Sequence, residues 1–188
     1  PKHLGGILDN DSADKAARFV NLCNAYGLPL VFLMDVPGFM VGTKVEQAGI
    51  IRHGAKMLHA VANATVPKIT VVLRKAYGAG YYVMNGRAYE PDLIVAWPSA
   101  EISVMGAEGA VEIVMRKQVE AAEDPAAKKA ELIEAYRKII DVYIAARNDM
   151  IDDVIDPRET RPVVIKALEM AANKQVSRPW KKQGVVPV

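Results

Sequence analysis

Residues 28–34 read LPLVFLM and residues 69–73 read ITVVL. Each is an unbroken apolar run of strand length, without the polar alternation of a strand that keeps one face wet. Such runs suit strands buried on both faces, so they predict a sheet covered by helices. Ahead of the first run, Ala16, Phe19, Val20 and Cys23 recur at helical spacing, Asp11 or Ser12 is placed to cap that helix, and Gly27 to stop it. Residues 4–8 read as a short strand. After the run comes a loop rich in Pro and Gly, DVPGFMVG at 35–42, and then a helix over 46–63. Its apolar arc holds Ile50, Ile51, Ala55, Leu58 and Ala62, and its polar stripe Arg52, Lys56, His59 and Asn63. ITVVL runs into a small-residue turn at 77–80 and a short helix through Met84. Further strands are expected at 93–96 and 101–105, and helices over 107–122, 125–147 and 158–173, with Pro125 in a first turn and Asp156 or Thr160 near the start of the last. Glu134 and Lys138 are spaced for a helical ion pair. Strand and helix alternate, which predicts an α/β domain with parallel crossovers.

The 188 residues suffice for one domain with a substantial core. Lys and Arg number 24 against 22 Asp and Glu, too even a balance to suggest nucleic-acid binding. Lys174, Arg178, Lys181 and Lys182 form the visible basic cluster, expected to be a solvated tail. The single cysteine, Cys23, makes neither an internal disulfide nor a Cys-rich zinc site, and its setting suits a small core residue. No apolar run approaches the roughly 18 residues needed to span a bilayer, and no signal peptide is visible. A cytoplasmic setting is expected, or the mitochondrial matrix in a eukaryote. Pro1, directly before an apolar run, reads as a cut inside a longer protein.

Ligands of α/β sheets tend to lie at the carboxyl ends of strands, which gives two stretches most weight: 34–39 (MDVPGF) and 74–82 (RKAYGAGYY). In the second, a buried strand runs into small residues that open a helix, whose first N–H groups lack internal partners and suit an oxyanion or enolate. Gly78-Ala79-Gly80 fits that chemistry and equally fits a tight turn for close helix–sheet packing. Neither stretch has a phosphate-loop or dinucleotide glycine pattern. No HExxH or Cys/His metal pattern occurs, so no metal is expected, and no serine sits in a nucleophile elbow. Asp35 and Glu101 flank strands and read as hydrogen-bonding groups. Tyr77, Tyr81 and Tyr82 read as core rings with bonded hydroxyls, two of them lining one side of the turn. His59 reads as a surface residue.

Several long segments, in order, resemble the carboxyltransferase β subunits of biotin-dependent acyl-CoA carboxylases of the propionyl-CoA and methylcrotonyl-CoA type. They are GGILDNDSADKAARFV at 5–20, DVPGFMVGTKVEQAGIIRHGAKML at 35–58, RKAYGAGYYVMNGRAY at 74–89, AWPSAEISVMGAEGAV at 96–111 and VIDPRETRPVVIKALE at 154–169. The resemblance implies a ClpP/crotonase-like ββα superhelix and makes residues 1–188 the second, C-terminal carboxyltransferase domain of a two-domain subunit. It implies carboxyl transfer from carboxybiotin, borne on a separate carrier domain, to the α-carbon of an acyl-CoA. The backbone N–H groups of Ala79 and Gly80 would stabilise the biotin enolate, and Pro37, Gly38, Phe39, Tyr77, Gly78, Tyr81, Tyr82, Met105 and Gly106 would line the biotin and substrate pocket. Implied partners are the N-terminal carboxyltransferase domain, a biotin carboxylase and biotin carboxyl carrier subunit, acyl-CoA and further copies in a homo-oligomer. Two alternatives remain open, an acyl-CoA decarboxylase subunit and a non-catalytic assembly domain. Gly78-Ala79-Gly80-Tyr81-Tyr82 departs from the Gly-Gly-Ala-Tyr-Asp of many propionyl-type relatives, placing Tyr82 where the family has a residue tied to acyl choice.

Overall fold

The structure, a computed structural model, describes residues 1–177 and 184–187. Arg178, Lys181 and Lys182 of the basic cluster lie outside the described residues. Lys174 is not a solvated tail residue: its ammonium lies 2.7 Å from Asp92 with the side chain mostly covered.

Four strands run parallel in the order β1 (Leu30–Val36), β2 (Lys68–Tyr77), β3 (Leu93–Ala96) and β5 (Asp153–Val154); β4 (Glu101–Ser103) pairs with the far end of β2. The expectation of double burial holds for β2, where Ile69, Val71 and Val72 are wholly inside. It fails for β1, which lies at the sheet edge with Val31 43% and Leu33 57% exposed. One face of β1, carrying Leu30 and Phe32, packs under α1 (Asn10–Ala25) and α3 (Ile50–Asn63). Helix α9 (Thr160–Met170) presents Val163 and Val164 to the opposite face at Val71 and Val95.

Several boundaries differ from the sequence pattern for local reasons. Residues 4–8 are not a strand: Gly5 and Gly6 both have positive φ, giving a 3-10 turn over Leu4–Gly6, and only Leu8 makes a bridge, to Phe39. A Cβ on Gly6 would lie 2.4 Å from the Asp35 carbonyl oxygen, so glycine permits that approach. The cap of α1 is Asp9, whose carboxylate accepts from Ser12 N–H at 2.9 Å while Ser12 Oγ accepts from Asp9 N–H at 2.8 Å. The helix expected over 46–63 breaks at Gly49 (φ 87°) into α2 (Thr43–Gln47) and α3.

The later helices divide in the same way: α5 (Ala107–Ile113) from α6 (Arg116–Glu120), and α7 (Pro125–Ile139) from α8 (Val142–Arg147), with Asp141 capping α8 through Tyr143 N–H at 2.8 Å. Helix α7 packs mainly on α5 and α6, meets the sheet where the Tyr136 hydroxyl lies 3.3 Å from the Ser103 hydroxyl of β4, and buries no residue completely. Ion pairs tie it to α5, Arg137 to Glu108 at 2.7 Å and Lys129 to Glu112 at 2.6 Å, while within the helix Glu134 meets Arg137 rather than Lys138.

Candidate active site

Because the sheet is parallel, the ends of β1, β2 and β4 fall on one edge: Val36 stands opposite Ala76, and Tyr77 opposite Ser103. From that edge β2 turns directly into α4 (Gly78–Val83). The turn is packed closely enough to require its glycines. Gly78 has φ 53°, and a Cβ there would lie 2.9 Å from the Val104 carbonyl oxygen. A Cβ on Gly80 would sit 3.0 Å from both Val36 methyls and 3.3 Å from Gly38 Cα. Gly106, in the loop after β4, lies over the Tyr77 ring, so close that a Cβ on it would be 2.9 Å from the ring edge. The structure thus gathers the loop holding Pro37, Gly38 and Phe39, the turn at Gly78, Ala79 and Gly80, and the loop holding Met105 and Gly106. Ala79 is exposed and Gly80 buried. The N–H groups opening α4 precede its first i→i−4 bonds and so have no partner within the helix.

The three tyrosines separate. Tyr77 is buried and its hydroxyl donates to the Glu101 carboxylate. Burial raises its pKa well above the ordinary phenol value, and Glu101 adds to the rise. Tyr81 is buried too, donating to the Met150 carbonyl at 2.9 Å and accepting from Arg87 N–H at 3.0 Å. Tyr82 is 47% exposed and sits edge-to-face with both Tyr81 and Tyr89, at ring separations of 5.7 and 6.5 Å.

Tyr82 and Ala79 form one wall of an open apolar groove of about 410 Å³, within the range of small-molecule sites. Phe39, Met40 and Val41 form a second wall, and Ile51, Ala55 and Leu58 of α3 a third. These three belong to the apolar arc that periodicity picks out on the helix, together with Ile50 and Ala62. Of that arc Ile50 is buried, with Gly54, Met57, Ala60 and Val61 one position round the helix, whereas Ile51 is 75% exposed. Helical periodicity locates an apolar stripe without saying whether a core or a groove lies against it.

Asp35 accepts a two-pronged bond from the Arg74 guanidinium at 3.2 and 3.0 Å and one from Lys75 N–H at 3.2 Å. Burial alone would raise its pKa, but these donors and the Arg74 charge outweigh it and hold the carboxyl below the usual value. His53 bonds Asp14 at 2.8 Å, tying α3 to α1. Among the described residues no group of three or more His, Cys, Asp or Glu is placed to hold a metal ion, and no helix is long and apolar enough to cross a membrane.

The carboxyl transferase domain family matches this sequence over residues 1–186. The chain belongs to the carboxyl transferase domain family. The methylmalonyl-CoA carboxyltransferase 12S subunit of Propionibacterium freudenreichii subsp. shermanii is 54% identical over the whole chain. The mitochondrial propionyl-CoA carboxylase beta chain of Rattus norvegicus is 48% identical, again over the whole chain. The chain spans about a third of these carboxyl transferase relatives, 36% and 34% of their lengths. The crystal structure of transcarboxylase 12S, described as a hexamer assembly, superposes with a TM-score of 0.92 at 54% identity, covering all of this chain and 36% of that one. The beta subunit of P. aeruginosa geranyl-CoA carboxylase superposes at 0.83 with 35% identity, covering 97% of this chain and 35% of that one. The fold is accordingly the crotonase-like α/β fold of the carboxyl transferases.

Proposed function

We propose that this domain is the biotin-side half of the carboxyltransferase of a biotin-dependent acyl-CoA carboxylase. It is the C-terminal domain of its subunit and works with an N-terminal carboxyltransferase domain, a biotin carboxylase and carrier subunit, and further copies of itself. Support comes chiefly from one observation: the Gly78–Gly80 turn, with its helix-opening N–H groups, meets an apolar groove at the carboxyl edge of the sheet. The groove suits biotin, whose ring system is largely apolar around one polar ureido group. Bound carboxybiotin would supply the carboxyl group, and its loss would place negative charge on the ureido oxygen. The chain's task is to meet that charge with fixed donors, the N–H groups of Ala79 and Gly80. Removing one donor of this kind typically costs about 2.7–4 kcal/mol of transition-state stabilisation. Phe39 and Tyr82, which line the groove, would flank the ring, and the loops at Pro37–Gly38 and Met105–Gly106 hold the turn in place. The domain itself would supply the donors and the apolar walls.

A methylmalonyl-CoA decarboxylase alpha subunit of Propionigenium modestum is also 44% identical; the same half-site then serves the opposite direction of transfer. The test is decarboxylation of malonyl-CoA and methylmalonyl-CoA by the full-length subunit, with and without free biotin. Biotin-dependent turnover is expected, and its loss when this domain is removed. Equal turnover without biotin would overturn the proposal.

A further inference from the structure

Tyr77 and Glu101 form a pair to which the chemistry above gives no direct part. Tyr77 ends β2 and leads straight into the Gly78–Gly80 turn, and Glu101 opens β4. In the ladder Tyr77 stands opposite Ser103 and Glu101 opposite Lys75, so the phenol reaches diagonally across the two strands to the carboxylate. The ladder is three residue pairs long, which is little backbone pairing to fix one loop against another. Two contacts depend on it. Gly78 lies against the Val104 carbonyl, and Gly106 lies on the Tyr77 ring. The ring therefore stands between the turn after β2 and the loop after β4, with Glu101 holding its far end. The phenol is 7% exposed, and its raised pKa keeps it a donor throughout the neutral range.

We infer that the Tyr77–Glu101 hydrogen bond is a positioning device that fixes the Gly78–Gly80 turn, and with it the Ala79 and Gly80 N–H groups, against the Val104–Gly106 loop; this rests on the function proposed above. Tyr77, expected from the resemblance to line the pocket, is not among the residues lining the groove, and acts through the backbone that follows it. Phenylalanine at 77 keeps the ring under Gly106 but leaves the half-buried Glu101 without its donor, so the strand ends lose their cross-link.

The test uses the full-length subunit with its carrier and compares Tyr77→Phe, Glu101→Ala, their double variant and Glu101→Gln. Val61→Ala, in the core under α1 and α3, serves as a destabilised comparator. Expected are a tenfold or larger fall in kcat for Tyr77→Phe with the KM for acyl-CoA within twofold, a double variant no worse than the poorer single one, and recovery of most of the rate in Glu101→Gln. Val61→Ala lowers the thermal midpoint without lowering the rate per folded molecule. Amide hydrogen exchange over residues 77–83 and 103–110 is expected to quicken in Tyr77→Phe whatever reaction the enzyme catalyses, which separates this inference from the functional proposal. Unchanged exchange, unchanged kcat, or losses that multiply in the double variant would each overturn it. Biotin-independent turnover by the wild type, with quickened exchange in Tyr77→Phe, would sink the function while leaving the device intact.

Discussion

Tyr82 is a large aromatic side chain that its environment leaves half in water. Its two aromatic neighbours hold it upright in the groove wall beside Ala79. An aspartate there removes the apolar face and places a charge in a wall otherwise formed, apart from Glu46, by uncharged side chains. Because the acyl group must meet the ring held in this groove for the carboxyl group to pass, Tyr82→Asp is expected to change the ranking of acyl-CoA substrates by roughly tenfold between long apolar and short acyl groups, the scale of about one methylene in an apolar pocket. Competition assays on the reconstituted enzyme would measure it, and an unchanged ranking would refute it. The sequence made the turn itself legible, as small residues between a buried strand and a helix, and glycine-rich spacing alone left chemistry and close packing equally open there. The different fates of three neighbouring tyrosines were not legible. Tyr77 and Tyr81 find partners in Glu101 and Met150, 24 and 69 residues away, and no local pattern signals such bonds.

Helix boundaries carry the main disagreements between pattern and structure, and the reasons lie in single residues. Gly49 in a left-handed conformation and Asp141 as a cap cut apolar patterns that periodicity alone joins. At α1 the cap lies two residues upstream of Asp11, since the reciprocal bonds of Asp9 and Ser12 satisfy two otherwise unpartnered N–H groups. Asp9→Ala is expected to lower the stability of the domain by about 1 kcal/mol, read as a fall in the denaturation midpoint. The Ser12 hydrogen bonds hold the Asp9 carboxyl below its ordinary value of 3.8. A carboxyl depressed on folding contributes stability that is complete above its unfolded pKa and lost as pH falls through the folded one. The difference between wild type and Asp9→Ala should accordingly be full at pH 7 and shrink below about pH 4. A constant difference down to pH 2 would contradict this.

At the level of the molecule, order and direction were readable: a parallel sheet, helices on both faces, and loops gathered at the carboxyl edge. The completeness of the cover was not. The run at 28–34 is apolar throughout, yet Val31 and Leu33 face outward on an edge strand, with Phe19 and Leu22 of α1 also exposed. An open edge with apolar side chains invites pairing. The isolated 188-residue chain is expected to self-associate at micromolar concentration, and Leu33→Lys to reduce that association with circular dichroism unchanged. Equal association of the two proteins in analytical ultracentrifugation would speak against it.

The bond from Tyr81 to the Met150 carbonyl has a consequence in time. It spans 69 residues, and the β3–β5 pairing that lies beside it joins Val95 to Asp153. A ribosome adding about 5–20 residues per second needs roughly 3–14 s to make that stretch. Through that interval the nascent chain has α4 and the floor of the groove but nothing to receive the Tyr81 hydroxyl. The packing behind Tyr82 is thus completed late in synthesis, and chains released before Met150 would carry Tyr81 without that partner into the cell's quality control.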